Sequence, residues 1–345
     1  MGNILMPETT VNKFENIVAQ IPTIGLKVHG ERILEHTLLN LEDLSKTIKD
    51  LPALDPVKAR SAIIISAGPS TGRRNSVRRI KESKYRGTII VTDGSYVACL
   101  KAGLIPDFML TLDPHPTRMV RWVGDHDFEK HAANDDYFTR QDLNIEFRKN
   151  SAQQNKEHIA LVDQYGHLTK AIVASTAPRN LVGRLKEARF DIYWWNPLVD
   201  DPSKPGSLTR KMYAVNKLPC LNTGGTVGTA AWVFANAVLK THRIGLVGMD
   251  FGYRRDNPIE KTQTYYELIE YLGGKEELEE CFIEYEFPLT KEKFYTDPTY
   301  FWYRKNFLEL FKQATTKAYN CTEGGTLIDD RIPCITLDDF IRTNS

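Results

Sequence analysis

The stretch SAIIISAGPSTGRRNS, residues 61–76, decides which fold the chain is expected to adopt. An apolar run rich in β-branched residues ends in the turn Ala67–Gly68–Pro69–Ser70, and four arginines follow between residues 73 and 79. A short apolar strand, a glycine-containing turn and a helix in this order are typical of the first unit of a nucleotide-binding α/β domain. Gly68 permits a sharp turn or a close approach of the backbone to a ligand, and Ser70 offers a helix cap or a hydroxyl group.

Strands and helices alternate along the rest of the chain. The predicted strands are 61–67, 87–94, 106–114, 158–164, 170–176 and 243–253, and the predicted helices include 76–84, 95–104 and 224–240. Strands that alternate with helices pair into a mostly parallel sheet, and such strands are buried on both sides. The sequence therefore predicts an α/β, Rossmann-like fold, with a mostly parallel sheet flanked by helices.

Residues 1–58 are predicted to form an N-terminal helical extension. Apolar side chains recur at helical spacing between residues 8 and 50, which predicts two helices, and the prolines of residues 50–56 predict a linker. The Rossmann-like domain is then expected to span residues 59–345. Near its end, residues 297–320 are predicted to form a helix, with Asp297 or Thr299 as the N-cap.

The composition limits the classes of function. The 45 Lys and Arg residues balance 44 Asp and Glu residues, which argues against a general nucleic-acid binder. No apolar run approaches the roughly 20 residues that span a bilayer, and the first residues lack the pattern of a secretory signal. A cytoplasmic protein without a membrane span is therefore predicted. The five cysteines show no CxxC spacing, so free buried thiols are expected rather than a metal site or a disulfide framework.

Polar residues follow the predicted strands at the edge where an open parallel sheet binds its ligands. The residues expected there are Gly68–Pro69–Ser70, Asp93–Gly94, Asp113–Pro114–His115, Ser175–Thr176 and Asp250. One aspartate in a turn often only caps a helix, but three at one edge favour a polar site. Arginines after the first turn, Arg73 among them, would attract an anionic ligand, although at least two of the four are expected simply to lie on a solvated helix face.

A second glycine-rich turn, Thr223–Gly224–Gly225, leads into the predicted helix 224–240. Its N–H groups could hold a phosphate or a carboxylate. The small residues that follow could instead serve close packing of the helix on the sheet, and the two functions are compatible. The first turn, Ala67–Gly68–Pro69–Ser70, matches neither the P-loop pattern GxxxxGK[ST] nor the dinucleotide pattern GxGxxG, so neither class of site is predicted from it.

Four segments in this order resemble a known family: AIIISAGPS, IIVTDGSYVACLKAGLIPDFMLTLDP, LNTGGTVGTAAWVFANAVLKTHRIGLVGMDFGY and AYNCTEGGTLIDD. They look like the family once called domain of unknown function 115, over about residues 60–340. Its best-known members are the motility-associated-factor glycosyltransferases and the archaeal 6-hydroxymethylpterin diphosphokinases, the MptE-like enzymes. The TEGG turn resembles the motility-associated-factor branch, and Glu323 in that turn is included among the predicted binding residues.

The same order is similar, more distantly, to the bacterial family-42 sialyltransferases, whose turns hold a CMP-activated nine-carbon sugar. The resemblance implies contacts with the nucleotide at Gly68, Pro69, Ser70, Asp93 and Gly94, and with the sugar or phosphate at Thr223, Gly224 and Gly225. This chain departs from the pattern at Ala67, where those enzymes have Asn, and it has no histidine after His242, where they place the catalytic base. The base must then differ, and the candidates are Asp113, His115 and Asp297.

Three functions follow as hypotheses. The first is a glycosyltransferase that moves a nucleotide-activated sugar, in particular a CMP-linked nonulosonic (sialic-acid-like) sugar, onto a glycan or protein acceptor, with no cofactor expected. The second is a 6-hydroxymethylpterin diphosphokinase that uses ATP and needs Mg²⁺ to bridge the phosphates, with carboxylates from Asp93, Asp113 and Asp250. The third is a non-catalytic binding protein that keeps the nucleotide-sugar fold. An oligomer is compatible with all three.

Overall fold

A parallel β-sheet forms the centre of the molecule. The structure is a computed structural model and describes residues 8–133, 145–262, 265–272, 274, 278 and 281–344. Its strands are β1 (Ser61–Ile65), β2 (Thr88–Thr92), β3 (Phe108–Thr111), β4 (Lys170–Ala174), β5 (Asp191–Leu198), β6 (Cys220–Asn222), β7 (Arg243–Val247), β8 (Tyr253–Arg254), β9 (Ile283–Glu286), β10 (Lys293–Thr296) and β11 (Lys317–Asn320). Within the described ranges, eight strands pair in the order β11–β7–β1–β2–β3–β4–β5–β6, and every neighbouring pair is parallel. The predicted fold class is confirmed.

Helices connect and cover these strands, and a second, smaller sheet of antiparallel strands has the order β8–β10–β9. The helices are α1 (Glu8–Leu39), α2 (Pro56–Arg60), α3 (Ser70–Arg73), α4 (Ser76–Glu82), α5 (Asp93–Lys101), α6 (Pro116–Val120), α7 (Phe128–Ala133), α8 (Ile145–Tyr165), α9 (Arg179–Glu187), α10 (Leu208–Asn216), α11 (Val227–Val233), α12 (Tyr265–Leu272), α13 (Pro298–Phe311) and α14 (Leu337–Asn344). The last turn of α11 continues as a π-helix over Phe234–Val238. Short 3-10 helices lie at Leu41–Asp43, Arg121–Val123, Gly166–Leu168 and Ile259–Lys261.

The strands of the large sheet are buried because helices cover both of its faces. In β1, Ile63 and Ile65 belong to one apolar layer, and Ala62 and Ile64 belong to the other. Helices α4, α5, α8, α9 and α14 contribute to the first layer, and α11 and α13 contribute to the second. Burial on both sides explains why continuous β-branched runs specify these strands.

Three expectations about the elements were wrong. Residues 158–164 lie in α8 and not in a strand, because an apolar run of this length also fits a helix and the polar residues before it extend that helix. Residues 297–320 contain α13 and then β11 rather than one helix. Residues 8–39 form one helix rather than two, with Pro22 inside it, and its packing against α10 and α13 overrides the break that proline favours.

The N-terminal helix is fastened to the carboxyl end of β4. The Nδ1 atom of His36 lies 3.0 Å from the carbonyl oxygen of Thr176, and the Asn40 amide donates to the carbonyls of Ser175 (3.0 Å) and Ala177 (2.7 Å). The segment predicted as an extension therefore contributes directly to the sheet edge at which ligands are expected. The boundary at residue 58 stays a prediction, and residues 1–7 of the extension lie outside the described residues.

Two further features concern the described residues as a whole. None of their helices combines the length and the apolar character that a membrane crossing requires. All five cysteines lie in the described part of the chain, where none of them forms a disulfide, and Cys99, Cys281 and Cys321 are buried.

Candidate functional site

The order of the strands places a topological switch point between β1 and β7. From β1 the sheet grows in one direction through β2 to β6, and β7 then returns to the other side of β1. At a switch point an open crevice forms outside the carboxyl ends of the two neighbouring strands. Open α/β sheets bind their ligands in this crevice. The loops at this point are residues 66–70 after β1 and residues 248–250 after β7.

The predicted turn Gly68–Pro69–Ser70 holds the carboxylate of Asp250. The Ser70 hydroxyl donates to Oδ2 of Asp250 at 2.7 Å, and the N–H of Gly68 donates to the carbonyl of Gly248 at 3.0 Å. A Cβ atom at Gly68 would lie 2.9 Å from Cγ of Asp250, and closer still to its Oδ2 and to the Gly248 carbonyl oxygen. Gly68 therefore serves the close contact of the two loops. Ser70 does not cap a helix, since α3 is only four residues long and begins after Pro69 without a side-chain cap.

Asp250 is a buried acid with compensating partners. Its exposed fraction is 4 %, and burial raises its pKa to about 6, although the Ser70 hydroxyl and the nearby Arg73 charge oppose this rise. The Arg73 guanidinium lies 3.8 Å from Asp250 and 5.8 Å from the ring centre of Phe294. The Arg73 side chain remains 30 % exposed. Arg73 is thus a cation at the switch point that a dissolved anion can reach.

The other arginines after the turn have different partners. Arg78 pairs with Glu82 on its own helix and is 76 % exposed. Arg79 binds Glu323 through two hydrogen bonds of 3.1 and 2.9 Å, and Glu323 also accepts the N–H of Leu337 at 2.8 Å. Glu323 therefore joins its turn to α4 and α14.

Asp93, the first residue of α5, is a buried acid with one oxygen unsatisfied. Its Oδ1 accepts the N–H of Gly94 at 2.7 Å, whereas its Oδ2 has no hydrogen-bond partner among the described residues. The residue is 6 % exposed. Burial raises its pKa to about 7, the Gly94 N–H lowers it, and the negative charge of Asp113 raises it further. Buried polar atoms normally find partners, so this oxygen marks a place where a ligand or a proton is expected.

The predicted catalytic residues occupy two different environments. Asp113 is exposed just after β3 and accepts the N–H of His115 at 2.7 Å. The ring of His115 lies 3.2 Å from the Thr117 hydroxyl. Asp297 is fully buried and caps α13 by accepting the N–H of Tyr300 at 2.7 Å, as predicted for this helix. Asp113 and His115 are therefore placed together at the sheet edge, while Asp297 organises the start of α13.

The second glycine turn is closed by its own side chains. Asn222 Oδ1 accepts the N–H of Gly224 at 3.0 Å, and Thr223 Oγ1 accepts the N–H of Gly225 at 3.1 Å. Gly225 has a φ of +91°, and a Cβ there would lie 2.7 Å from the ring of Tyr303 and closer to that of Trp302. The turn therefore packs against α13, and two of the N–H groups expected to face a ligand are already used.

A cavity of about 580 Å³ lies beside this turn. Its walls are α1, the loops that follow β3, β4, β5 and β6, and one face of α13. The sequence did not predict this cavity, because two of its walls come from helices at opposite ends of the chain. The run Tyr300–Phe301–Trp302–Tyr303 was its one local signal.

Helix α13 connects the parts of the site. Burial raises the pKa of Tyr303 to about 12, with further increases from the charges of Asp297 and Asp113, so this ring lies near both carboxylates. Tyr300, one turn earlier, lies near Asp297 and Asp250. The predicted residues thus form a series along one edge, from Gly68–Ser70, Arg73 and Asp250 through Asp93, Gly94, Asp113 and His115 to Thr223–Gly225. Within the described ranges, no group of three His, Cys, Asp or Glu side chains is arranged to hold a metal ion.

Comparison with known proteins supports the family resemblance. The family model described as 6-hydroxymethylpterin diphosphokinase MptE-like matches residues 35–132. An uncharacterized protein of Treponema pallidum (strain Nichols) is 31 % identical over 91 residues, which cover 26 % of this chain and 41 % of that protein. The structure of MAf glycosyltransferase from Magnetospirillum magneticum AMB-1 aligns with a TM-score of 0.52 at 13 % identity, over 91 % of this chain and 40 % of that one.

These matches confirm the resemblance to MptE-like proteins, and they show that the chain shares its fold with the MAf glycosyltransferase. The matched regions cover about two fifths of the length of both named relatives. The similarity to family-42 sialyltransferases stays a prediction.

Proposed function

We propose that the protein is a glycosyltransferase that uses a nucleotide-activated sugar. The donor we propose is a CMP-linked nonulosonic, sialic-acid-like sugar, and the acceptor is a glycan or a protein. One observation carries the proposal. At one edge of the sheet, Arg73 provides a solvent-accessible cation at the switch point, and a cavity of about 580 Å³ lies further along the same edge. A transfer reaction needs two such places side by side. The fold shared with a glycosyltransferase over 91 % of the chain supports it.

The proposed chemistry assigns the residues as follows. Arg73 binds the phosphate of the donor by a charge-assisted hydrogen bond, beside the solvent-accessible Gly68–Pro69 backbone. The bond between the anomeric carbon and the phosphate oxygen breaks, and its electron pair leaves with CMP. The acceptor hydroxyl oxygen forms the new bond, and Asp113 or His115 takes its proton. Asp297 acts by holding the first turn of α13 in place.

The second candidate function is the diphosphokinase. The observation that favours it is the family match itself, because residues 35–132 include both Asp93 and Asp113. Mg²⁺ is commonly held by one or two carboxylates together with substrate phosphates, and these two acids lie within electrostatic range of each other. The unsatisfied Oδ2 of Asp93 fits such a ligand. Asp93 and Asp113 would hold the ion, and Mg²⁺ would supply charge neutralisation for the transfer of a diphosphate from ATP.

Ligand-dependent melting separates these functions. The purified chain is heated with CMP, CTP, UDP, GDP, ADP or ATP, each with and without Mg²⁺, and release of CMP from CMP-N-acetylneuraminic acid is followed in parallel. A ligand that binds only the folded protein raises Tm. We expect CMP to raise Tm without Mg²⁺ and the sugar nucleotide to be consumed.

The variant Arg73→Ala tests the assignment. It is expected to weaken CMP binding by about tenfold or more, because a hydrogen bond to a charged group is lost. Arg78→Ala is the matched control, since Arg78 pairs with Glu82 on the exposed surface of its own helix. A Tm increase with ATP alone, dependent on Mg²⁺, would favour the diphosphokinase instead. No response to any nucleotide would leave the non-catalytic binding protein.

A further inference from the structure

One face of α13 lines the cavity with aromatic and amide side chains. Trp302, Tyr303, Asn306, Glu309 and Leu310 all contribute to its wall. Their spacing of one, three or four residues places them on one side of the helix. The rings of Trp302 and Tyr303 are 5.4 Å apart and inclined at 57°. Such a wall offers an apolar ring surface next to groups that form hydrogen bonds.

Two polar groups of this wall are available to a ligand. In the part of the chain that the structure describes, no hydrogen bond engages the Tyr303 hydroxyl or the Asn306 side-chain amide. Both residues line the cavity, and neither polar group is among the described side-chain atoms that are buried without a partner. Together they provide hydroxyl and amide donors and acceptors without a net charge.

The opposite wall is mostly apolar. Helix α1 contributes Ile21, Leu26 and Ile33 together with His29, and Leu198 at the end of β5 and Val199 after it add further apolar surface. The volume of about 580 Å³ lies within the range of small-molecule sites, about 300–1,000 Å³. The shape and lining therefore suit a ring with one apolar face and a polar edge.

The carboxylates at the cavity carry its charge. Asp200 and Asp201 line it together with Glu309, which pairs with Lys312, and no lysine or arginine is among its described lining residues. Burial raises the pKa of Asp200, but hydrogen bonds from Ser207 and Thr209 outweigh burial and hold it below its ordinary value, so Asp200 carries a charge at neutral pH. A phosphate would be repelled here, whereas an uncharged polyhydroxyl ligand would not.

The cavity also approaches the proposed base. Leu112 and Pro114 line it, and Asp113 lies between them in the sequence. A ligand in the cavity would therefore bring a hydroxyl group towards Asp113 and His115. This position suits the acceptor, since the acceptor is the substrate that loses a proton.

We propose that this cavity is the acceptor subsite and that it takes an uncharged pyranose sugar, with its ring against Trp302 and its hydroxyls bonded to Tyr303 and Asn306. The inference rests on the proposed function, because an acceptor requires a transferase. It adds the chemical class of the acceptor and the residues that select it. The anionic donor binds beside Arg73, with Asp113 and His115 between it and the cavity in the order of the strands.

Saturation-transfer NMR of the full chain tests the proposal. The probes are galactose, N-acetylgalactosamine and lactose, with galacturonic acid as the anionic counterpart of the first. We expect the neutral sugars to receive saturation and galacturonic acid to bind at least fivefold more weakly. Tyr303→Phe, which keeps the ring, and Asn306→Ala should each weaken sugar binding by about tenfold. Lys305→Ala, at an exposed position of the same helix, is the control. The CMP-dependent increase in Tm should stay unchanged in all three variants.

Each other outcome overturns the acceptor assignment in a recognisable way. Binding of CMP without binding of any sugar would refute the subsite and leave the proposed transferase intact. Equal or tighter binding of galacturonic acid would refute the argument from charge. Weaker CMP binding in Tyr303→Phe or Asn306→Ala would assign the cavity to the donor. If neither CMP nor a sugar binds, both proposals fail together.

Discussion

Replacing Asp93 by asparagine is expected to remove a pH-dependent loss of stability. The pKa of Asp93 is raised from 3.8 to about 7, chiefly because the carboxyl group is buried and its Oδ2 has no partner among the described residues. A raised pKa means that the folded state favours the protonated acid. The stability that this group contributes is complete below pH 3.8 and is lost as the pH rises through 7.

The size of the effect follows from the pKa difference. About three units at 1.36 kcal/mol each give about 4 kcal/mol of stability lost between pH 4 and pH 8. Asparagine stays neutral throughout this range, and its side-chain oxygen can still accept the N–H of Gly94. The variant should therefore be more stable than the parent at pH 8 by up to about 4 kcal/mol, and nearly equal to it at pH 4.

Melting curves measured at half-unit steps from pH 4 to pH 8 check this prediction. The difference in Tm between Asp93→Asn and the parent should grow by several degrees, mostly between pH 4 and pH 7. Asp250, with a pKa of about 6, changes the stability of both proteins by the same amount, so its effect cancels in the difference in Tm. The control variant Asp330→Asn, at an exposed position, should show the same dependence of Tm on pH as the parent. A constant offset between the Asp93→Asn and parent curves at every pH would refute the reasoning.

Further predictions concern the two ends of the site. Gly68→Ala should lower the free energy of unfolding, measured by urea denaturation, by at least about 2 kcal/mol, because the new Cβ would clash with Asp250 and with a carbonyl oxygen. Gly72→Ala is the control and should not lower it in this way, because a Cβ there meets nothing within 4 Å. Asp113→Ala and His115→Ala should abolish release of CMP from the sugar nucleotide while changing Tm by no more than a degree or two, since Asp113 is exposed and His115 only half-buried. Full turnover in both variants would remove these two residues from the proposed catalysis.

The central strands were predictable because their chemistry is local. Continuous β-branched runs buried on both faces specify β1 and β2 without reference to the rest of the chain. Strand β5 was missed because Asn196 and Pro197 interrupt its pattern, although both are buried. Its polar Asn196 is accommodated by hydrogen bonds to Ser175 and Asn216, which only the fold brings near.

The candidate site was predictable in position and less so in detail. Parallel topology alone places Gly68, Asp93, Asp113 and Asp250 at one edge, and the structure has them there. The sequence could not show that the Ser70 hydroxyl is bonded to Asp250, since the two residues are 180 positions apart. Nor could it show that Glu323 is held by Arg79, or that α1 and α13 enclose a cavity, because each depends on long-range packing.

The pairing of β1 with both β2 and β7 has a consequence for the order of folding. During synthesis on the ribosome, β2 emerges soon after β1. The strand that pairs with the other side of β1 is β7, which begins only at Arg243. Until then β1 is an open sheet edge, apolar and able to pair with another nascent chain. Such distant pairing also slows folding. The contact of Ser70 with Asp250 forms only when β7 pairs with this edge, so the part of the site around Arg73 is among the last to fold. Until then the exposed edge of β1 must be kept from pairing with other chains.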